Sequence, residues 1–153
     1  MARRIYLASS WRNSEQPRIV ATLREAGHAV YDFRNPAKGV TGLSWSEIDP
    51  EWKSWTADEY RRALEHPVAV QGFKLDYEAM KWCDTCVLLL PCGRSAHLEA
   101  GWCAAAGKHT IVLTRDGEEP ELMALLAHHI CVSEIELLDV LAEDRSTGGL
   151  NYA

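Results

Sequence analysis

The chain has 153 residues, 47% of them hydrophobic and 25% charged, with a formal net charge of −6. That length and balance suit one globular domain with a buried core and exclude a disordered or low-complexity chain. An acidic chain without a basic stripe is a poor partner for duplex nucleic acid or an anionic membrane surface, although a local anion site stays open. No apolar run approaches the roughly 18–20 residues that span a bilayer, and Met1-Ala2-Arg3-Arg4 is followed by no signal-peptide core. Five cysteines, without a regular framework, read as reduced thiols, so the expected location is cytoplasmic.

Ile5 to Ala8 is a short apolar run that predicts a buried strand, followed by the polar loop 9–14. Pro17 suits the first turn of a helix, Ile19, Val20, Leu23 and Ala26 follow at helical spacing, and Gly27 stands where a cap is expected. Ala29 to Tyr31 is the next strand, ending at Asp32, so strand, helix and strand fit within about 30 residues, the size of a βαβ unit. Residues 36–55 have no clear periodicity and hold three of the six tryptophans, Trp45, Trp52 and Trp55. Irregular segments of that length are usually functional loops or lids. The tryptophans suit packing, or an aromatic wall over a flat ligand.

Thr56-Ala57-Asp58-Glu59 has capping-box spacing, and the helix it starts should end near His66-Pro67. A longer helix is predicted over 68–83, with Phe73, Tyr77 and Met80 on one apolar face and Asp76 among them. Val87 to Leu90 reads as a central strand buried on both faces. Pro91 to Ser95 turn the chain, Ala96 to Ala106 look helical with Gly107 as cap, and Thr110 to Leu113 form another strand. A short helix over Pro120 to His128, a last strand Ile130 to Val132, and a helix opened by the capping box Ser133 to Glu136 complete the pattern. Alternating strands and helices predict a three-layer, doubly wound α/β domain over 1–153, with a five-stranded, mainly parallel sheet and a tryptophan-rich insertion at 36–55. In such sheets ligands sit beyond the carboxyl ends of the strands. The loops at 9–14, 32–55, 91–95 and 114–119 are therefore the places to inspect.

Phosphate-loop, dinucleotide-fingerprint and nucleophile-elbow motifs are absent. Glu99 falls in the opening turns of a helix that follows the most buried strand. Ser95 is four residues before it, one too many for a capping box. Its carboxylate either interacts with the helix dipole or acts as nucleophile or base among small apolar neighbours that tune its pKa. Asp76, on an apolar face, needs hydrogen-bond donors or a partner role beside Glu99, and two carboxylates in one pocket suit glycosidic chemistry. Arg12 and Arg94, with Ser9, Ser10 and Ser95 in the same loops, suit a phosphate or carboxylate, or plain solvation. Trp11, Asp32 and Gly93 belong to the same set of strand-end loops and complete the substrate-binding candidates. His97 points about 200° away from Glu99 around the helix. Cys83 and Cys86 end a helix rather than begin one, unlike a thioredoxin motif, and read as structural thiols. Asp84 reads as a turn residue. His128 and His129 lack sequence partners for a metal.

Three segments together carry a resemblance: Tyr6-Leu7-Ala8-Ser9-Ser10; Asp76 through Asp84 leading into Val87 to Leu90; and Ser95 to Lys108, with Glu99, Gly101, Gly107 and Lys108, leading into Thr110 to Leu113. They resemble the nucleoside 2-deoxyribosyltransferase superfamily, including its 2'-deoxynucleoside 5'-monophosphate N-glycosidase branch, with nothing recognisable at 36–70. The resemblance implies a flavodoxin-like fold and cleavage of an N-glycosidic bond in a nucleoside or nucleotide. It makes Glu99 the nucleophile, Asp76 the group that places sugar and nucleophile, and Tyr6 an active-site tyrosine. It puts Ser9, Ser10 and Arg12 on a 5'-phosphate. It also implies a homodimer or higher homo-oligomer, in which a chain end such as Asn151-Tyr152-Ala153 can complete a neighbour's site.

Two departures stand out. Gly93 replaces the aspartate that the transferases carry six residues before the nucleophile, and His97 replaces a glycine. Both argue against ordinary base exchange and for a hydrolase or a phosphate-bearing substrate. Double displacement through a carboxylate requires no cofactor and no metal. The rival readings are a nucleotide-binding sensor domain without turnover, an NAD-cleaving glycohydrolase, and a redox thiol protein.

Overall fold

Each of the five apolar runs forms a strand: β1 (Arg4–Ala8), β2 (Ala29–Tyr31), β3 (Thr85–Leu89), β4 (His109–Leu113) and β5 (His129–Cys131). They pair in the order β2-β1-β3-β4-β5 and every pairing is parallel, so the sheet is wholly rather than mainly parallel. The helices are α1 (Gln16–Glu25), α2 (Ala57–Ala63), α3 (Pro67–Trp82), α4 (Arg94–Ala105) and α5 (Glu134–Ala142). The computed structural model describes residues 1–143. The tail from Ser146, with Asn151-Tyr152-Ala153, lies outside the described residues.

Local chemistry explains most boundaries. Pro17 sits in the first turn of α1, where its missing N–H costs nothing. Gly27 beyond that helix has φ 93°, a left-handed conformation that other residues resist. Two expectations shift. The 120–128 helix is only a 3-10 turn at Leu122–Leu126, and β5 lies one residue earlier than predicted. At α5, Ser133 Oγ accepts from the Glu136 N–H (3.2 Å), whereas the Glu136 carboxylate accepts from Val132 N–H (2.8 Å), so the reciprocal half of the capping box moves back one residue.

Contacts group the chain into two compact units, residues 1–31 with the chain from Trp82 onward, and residues 32–81. The first unit holds the sheet. Strand side chains alternate between its faces. Ile5, Leu7, Val30, Val87, Leu89, Ile111 and Leu113 meet Ile19, Val20 and Leu23 of α1 and Leu137 and Leu141 of α5 in one core. Tyr6, Cys86 and Thr110 alternate with these residues and share register on the other face, over which α4 packs against β1, β3 and β4. All five residues of β3 are buried, as a central parallel strand requires.

Arg3, read from the sequence as a terminal charge, is buried (4% exposed). Its guanidinium donates to the Leu141 carbonyl (2.9 Å) and to that of Glu143, closing the α5 C-terminus, where cations are favoured. Arg18 of α1 makes a two-pronged bond to Glu134 of α5 (2.7 and 2.9 Å), which holds the Glu134 carboxyl below its usual pKa.

In the second unit, Thr56 Oγ1 accepts from Glu59 N–H (3.2 Å) and the Glu59 carboxylate accepts from Thr56 N–H (2.6 Å), the predicted capping box. The 36–55 segment is tied by its own aromatics. Trp45 meets Trp55 edge-on (5.9 Å) and Tyr60 likewise (6.4 Å), and the Trp55 indole N–H donates to Asp49 Oδ2 (2.7 Å). On α3 the buried stripe runs through Ala69, Ala79 and Met80, with Gly72 on it. A Cβ at Gly72 would lie 3.3 Å from the Leu43 Cβ, a close approach that favours glycine. Phe73 does not join the apolar face expected for it. It is 66% exposed and stacks on Tyr77 (5.5 Å), because the 69–72–76–79–80 stripe leaves position 73 at its edge.

Two outcomes follow. Leu137→Ala removes a fully buried side chain from the α1–α5 core and should cost about 2–5 kcal/mol in urea unfolding. His28 Nδ1 accepts the Arg3 backbone N–H (3.2 Å). Burial first, then the charges of Arg3 and the N-terminal amine, push its pKa below 6.5. The folded state therefore binds fewer protons than the unfolded chain. The associated stability is complete above about pH 6.5 and is lost as pH falls toward the folded pKa. The thermal midpoint should drop on acidification from about pH 7 to 5, and His28→Gln should flatten that drop. An equal slope in both proteins would remove His28 as its cause.

Candidate functional site

The strand order reverses between β1 and β3, so the loops leaving their carboxyl ends diverge to opposite sides of the sheet. A crevice at such a reversal is the usual ligand position in this architecture. Here both loops belong to the first unit and are tied together. Ser9 Oγ donates to the Leu89 carbonyl (3.0 Å). Asn13 Nδ2 donates to the Pro91 carbonyl (3.1 Å). Within the first loop, Asn13 N–H donates to the Ser10 carbonyl (3.0 Å) and Ser10 Oγ accepts from Arg12 N–H (3.2 Å). Trp11 stands at the loop's crest, 50% exposed, and Arg12 is exposed.

The second loop leads into α4 through Gly93, whose backbone is extended (φ −86°, ψ −173°). Any residue can adopt that conformation, and a Cβ there would meet nothing within 4 Å. The glycine leaves space rather than satisfying a backbone demand. Arg94 and Ser95 open the helix and are exposed. The His97 ring turns back, its Nδ1 donating to the Gly93 carbonyl (2.9 Å), with Cys92 Sγ 3.6 Å from the same nitrogen. His97 thus serves the helix start, on a different side from Glu99.

Glu99 lies on the stripe of α4 that contains the buried Ala96, Ala100 and Cys103, at positions 96, 99, 100 and 103. It is half-buried. The buried neighbours on this stripe are the small Ala96 and Ala100. Its charge reaches Cys92. Burial first, then Glu99 and Glu118, push that thiol up to about 12. Glu118, half-buried and paired with Arg115 (2.9 Å), comes from the loop after β4, and no sequence motif marks it. Tyr6, 1% exposed, points to the α4 face and stacks on Tyr31 (5.4 Å, 16°). Tyr31 likewise carries no sequence signal beyond its place at the end of β2.

Most of the described arginines are committed to carboxylates or backbone carbonyls. Arg4 pairs with Asp84, Arg18 with Glu15 and Glu134, Arg61 and Arg62 with Asp58, and Arg115 with Glu118. Arg3 and Arg24 are spent on backbone carbonyls. Arg12 and Arg94 make no ion pair among the described residues, although the chain carries a net charge of −6. These two cations sit on the two loops flanking the strand reversal.

The remaining candidates divide between structural and open roles. Asp32, 8% exposed, uses Oδ1 to accept from Arg34 N–H (3.0 Å) and Oδ2 to accept from the Asn35 amide (2.9 Å), organising its own turn. Asp76 lies on the buried stripe of α3, half-buried, in the 32–81 unit. That unit also contains a cavity of about 550 Å³ lined by Ile48, Asp49, Trp55, Glu59, Arg62 and His66 among others. Asp49 and Glu59 are held below their ordinary pKa, first by backbone N–H donors and then by the Trp55 indole and Thr56 hydroxyl. Cys83, Cys86 and Cys103 are buried thiols. They interact with one another, and the bond to Cys103 followed by burial raises the Cys83 pKa. That pattern matches structural thiols. Among the described residues no cluster of three His, Cys, Asp or Glu is arranged to hold a metal, and no helix is long and apolar enough to cross a membrane.

A labelling experiment checks where Glu99 points. Cys92 should react slowly with iodoacetamide near neutral pH, since its thiolate is scarce. Glu99→Gln removes a charge that raises its pKa, so labelling should accelerate, as read by peptide mass spectrometry. An unchanged rate would put the Glu99 carboxylate away from this loop.

No protein-family model matches the sequence, and no curated protein matches it significantly. Solved structures do match. The chain superposes on a CMP N-glycosidase from Clostridium botulinum with a TM-score of 0.52 and 23% identity, covering 92% of this chain and 98% of that one. It superposes on a 2-deoxyribosyltransferase from the psychrotolerant bacterium Bacillus psychrosaccharolyticus with a TM-score of 0.57 and 24% identity, covering 96% and 95%. A conserved protein from Enterococcus faecalis gives 0.52 and 19%, covering 88% and 94%. The chain shares the fold of these proteins over nearly its whole length, which agrees with the flavodoxin-like strand order.

Proposed function

We propose that this chain belongs to the nucleoside 2-deoxyribosyltransferase superfamily and hydrolyses the N-glycosidic bond of a nucleoside 5'-monophosphate. The observation that carries the reading is a half-buried glutamate on the sheet-facing stripe of α4, next to a strand reversal whose two loops each present an arginine without an ion pair. A carboxylate and a dianion site on one crevice suit a substrate with an electrophilic anomeric carbon and a phosphate one ribose length away. The similar structures that act as an N-glycosidase and a 2-deoxyribosyltransferase support the same chemistry.

In this reading Arg12 and Arg94, with Ser10 and Ser95, hold the phosphate through charge-assisted bonds. Ser9, whose hydroxyl donates to Leu89, ties the loop. Glu99 Oε attacks C1', the C1'–N bond breaks with its electron pair going to the base, and the base takes a proton from solvent water, balanced by the proton that the hydrolytic water later gives up. The bond passes through an oxocarbenium-like transition state to a glycosyl ester on Glu99. Water then attacks C1', returning the carboxylate and releasing the sugar phosphate. Tyr6, backed by Tyr31, is assigned to position the nucleophile. The space at Gly93 removes one means of gripping an incoming base, which favours water as acceptor.

The test is base release by chromatography from CMP, dCMP, the matching nucleosides and NAD. Monophosphates should be the best substrates, and Glu99→Gln should lower kcat at least about a thousandfold. Turnover that survives in Glu99→Gln would sink the nucleophile assignment. Nicotinamide release alone would make the chain an NAD glycohydrolase.

A further inference from the structure

Asn13 is nearly buried, 4% exposed, and its carboxamide serves two partners at once. Oδ1 accepts from Glu15 N–H (2.9 Å), which shapes the loop locally, while Nδ2 donates to the Pro91 carbonyl 78 positions away in sequence (3.1 Å). The first bond belongs to the turn that leads into α1. The second spans the strand reversal and joins the Arg12 loop to the turn that launches α4. Arg12 is the residue next to Asn13, and Pro91 is three residues before Arg94. The Ser9–Leu89 bond joins the same two loops nearer the strand ends, so Asn13 is a second clasp, farther along each loop.

We propose that Asn13 is a positioning residue for the anion site: its Nδ2 bond to Pro91 sets the separation of Arg12 from Arg94 and Glu99. Two guanidinium groups on separate loops hold one phosphate only if the loops keep a fixed spacing. A buried side-chain bond supplies that spacing at little entropic cost, because Asn13 is already ordered by its own turn. The inference rests on the proposed reading of this site as a nucleotide site, but its readout is binding rather than turnover.

The substitutions separate the two bonds. Asn13→Asp and Asn13→Ser both keep an oxygen able to accept from Glu15 N–H, but neither can donate to Pro91 as Nδ2 does. Asp lacks the donor and Ser is too short. Both are placed in a Glu99→Gln background, where substrate is not consumed, and binding of CMP and cytidine is measured by calorimetry. The expected result is CMP affinity weakened roughly tenfold in both variants, the scale of one lost buried hydrogen bond, with cytidine affinity within about twofold. Cooperative thermal unfolding confirms that the variants fold. Equal loss for CMP and cytidine would assign Asn13 to the general scaffold and overturn the proposal, as would unaltered CMP affinity. If the Glu99→Gln parent does not prefer CMP to cytidine, there is no anion site for Asn13 to set and the proposal fails. If CMP binds with that preference but the unmutated chain releases no base, only the N-glycosidase reading fails.

Discussion

Everything in the first unit is arranged around the ladder between β1 and β3. Four consecutive residues pair, from Ile5 with Thr85 to Ala8 with Leu88, across a sequence gap of nearly eighty residues. Closing so long a loop costs conformational entropy that local structure cannot repay. Burial repays it, since both strands place side chains in the sheet's two layers. Once these strands are neighbours, β2 can add only outside β1, and β4 and β5 only outside β3. The loops then leave in opposite directions, at the crevice position where this architecture usually places its ligand.

Electrostatics marks that crevice more sharply than shape does. The chain is acidic, and most of its arginines are committed to carboxylates or backbone carbonyls. A cation without such a partner in an acidic protein is favourable only if water or a ligand solvates it. Arg12 and Arg94 fit that condition on adjacent loops. Glu99 comes from the opposite chemical side. It is a carboxylate held toward the sheet on a helix whose inner stripe is otherwise alanine and cysteine, and its field extends to the Cys92 thiol.

The tryptophan-rich segment explains itself in part. Trp45 meets Trp55 and Tyr60 edge-on, and Asp49 receives the Trp55 indole N–H, so these partly exposed rings brace one another in a stretch that lacks regular hydrogen bonding. The redox reading of Cys83 and Cys86 loses ground for a similar reason. Their neighbour is another buried cysteine, and the bond to Cys103 followed by burial raises the Cys83 thiol pKa rather than lowering it.

The sequence alone determined the order and type of the elements. Period-two and continuous apolar runs, proline at a helix start and glycine after a helix end act within a few residues of themselves. They located five strands and most helices to within a residue or two, and placed Glu99 just after the most buried strand. Only the tertiary structure decided what depends on partners far along the chain. Arg3 became a buried cap for α5 because β1 starts beside that helix's end. Phe73 fell outside its helix's buried stripe because Leu43 packs against Gly72 instead. Asn13 and Tyr31 acquired their partners through strand order, whereas Asp32 and Glu118 are held by near neighbours. Periodicity reports which face of an element is apolar. It does not report which distant group will meet a polar side chain, because that is settled by the register of the folded sheet.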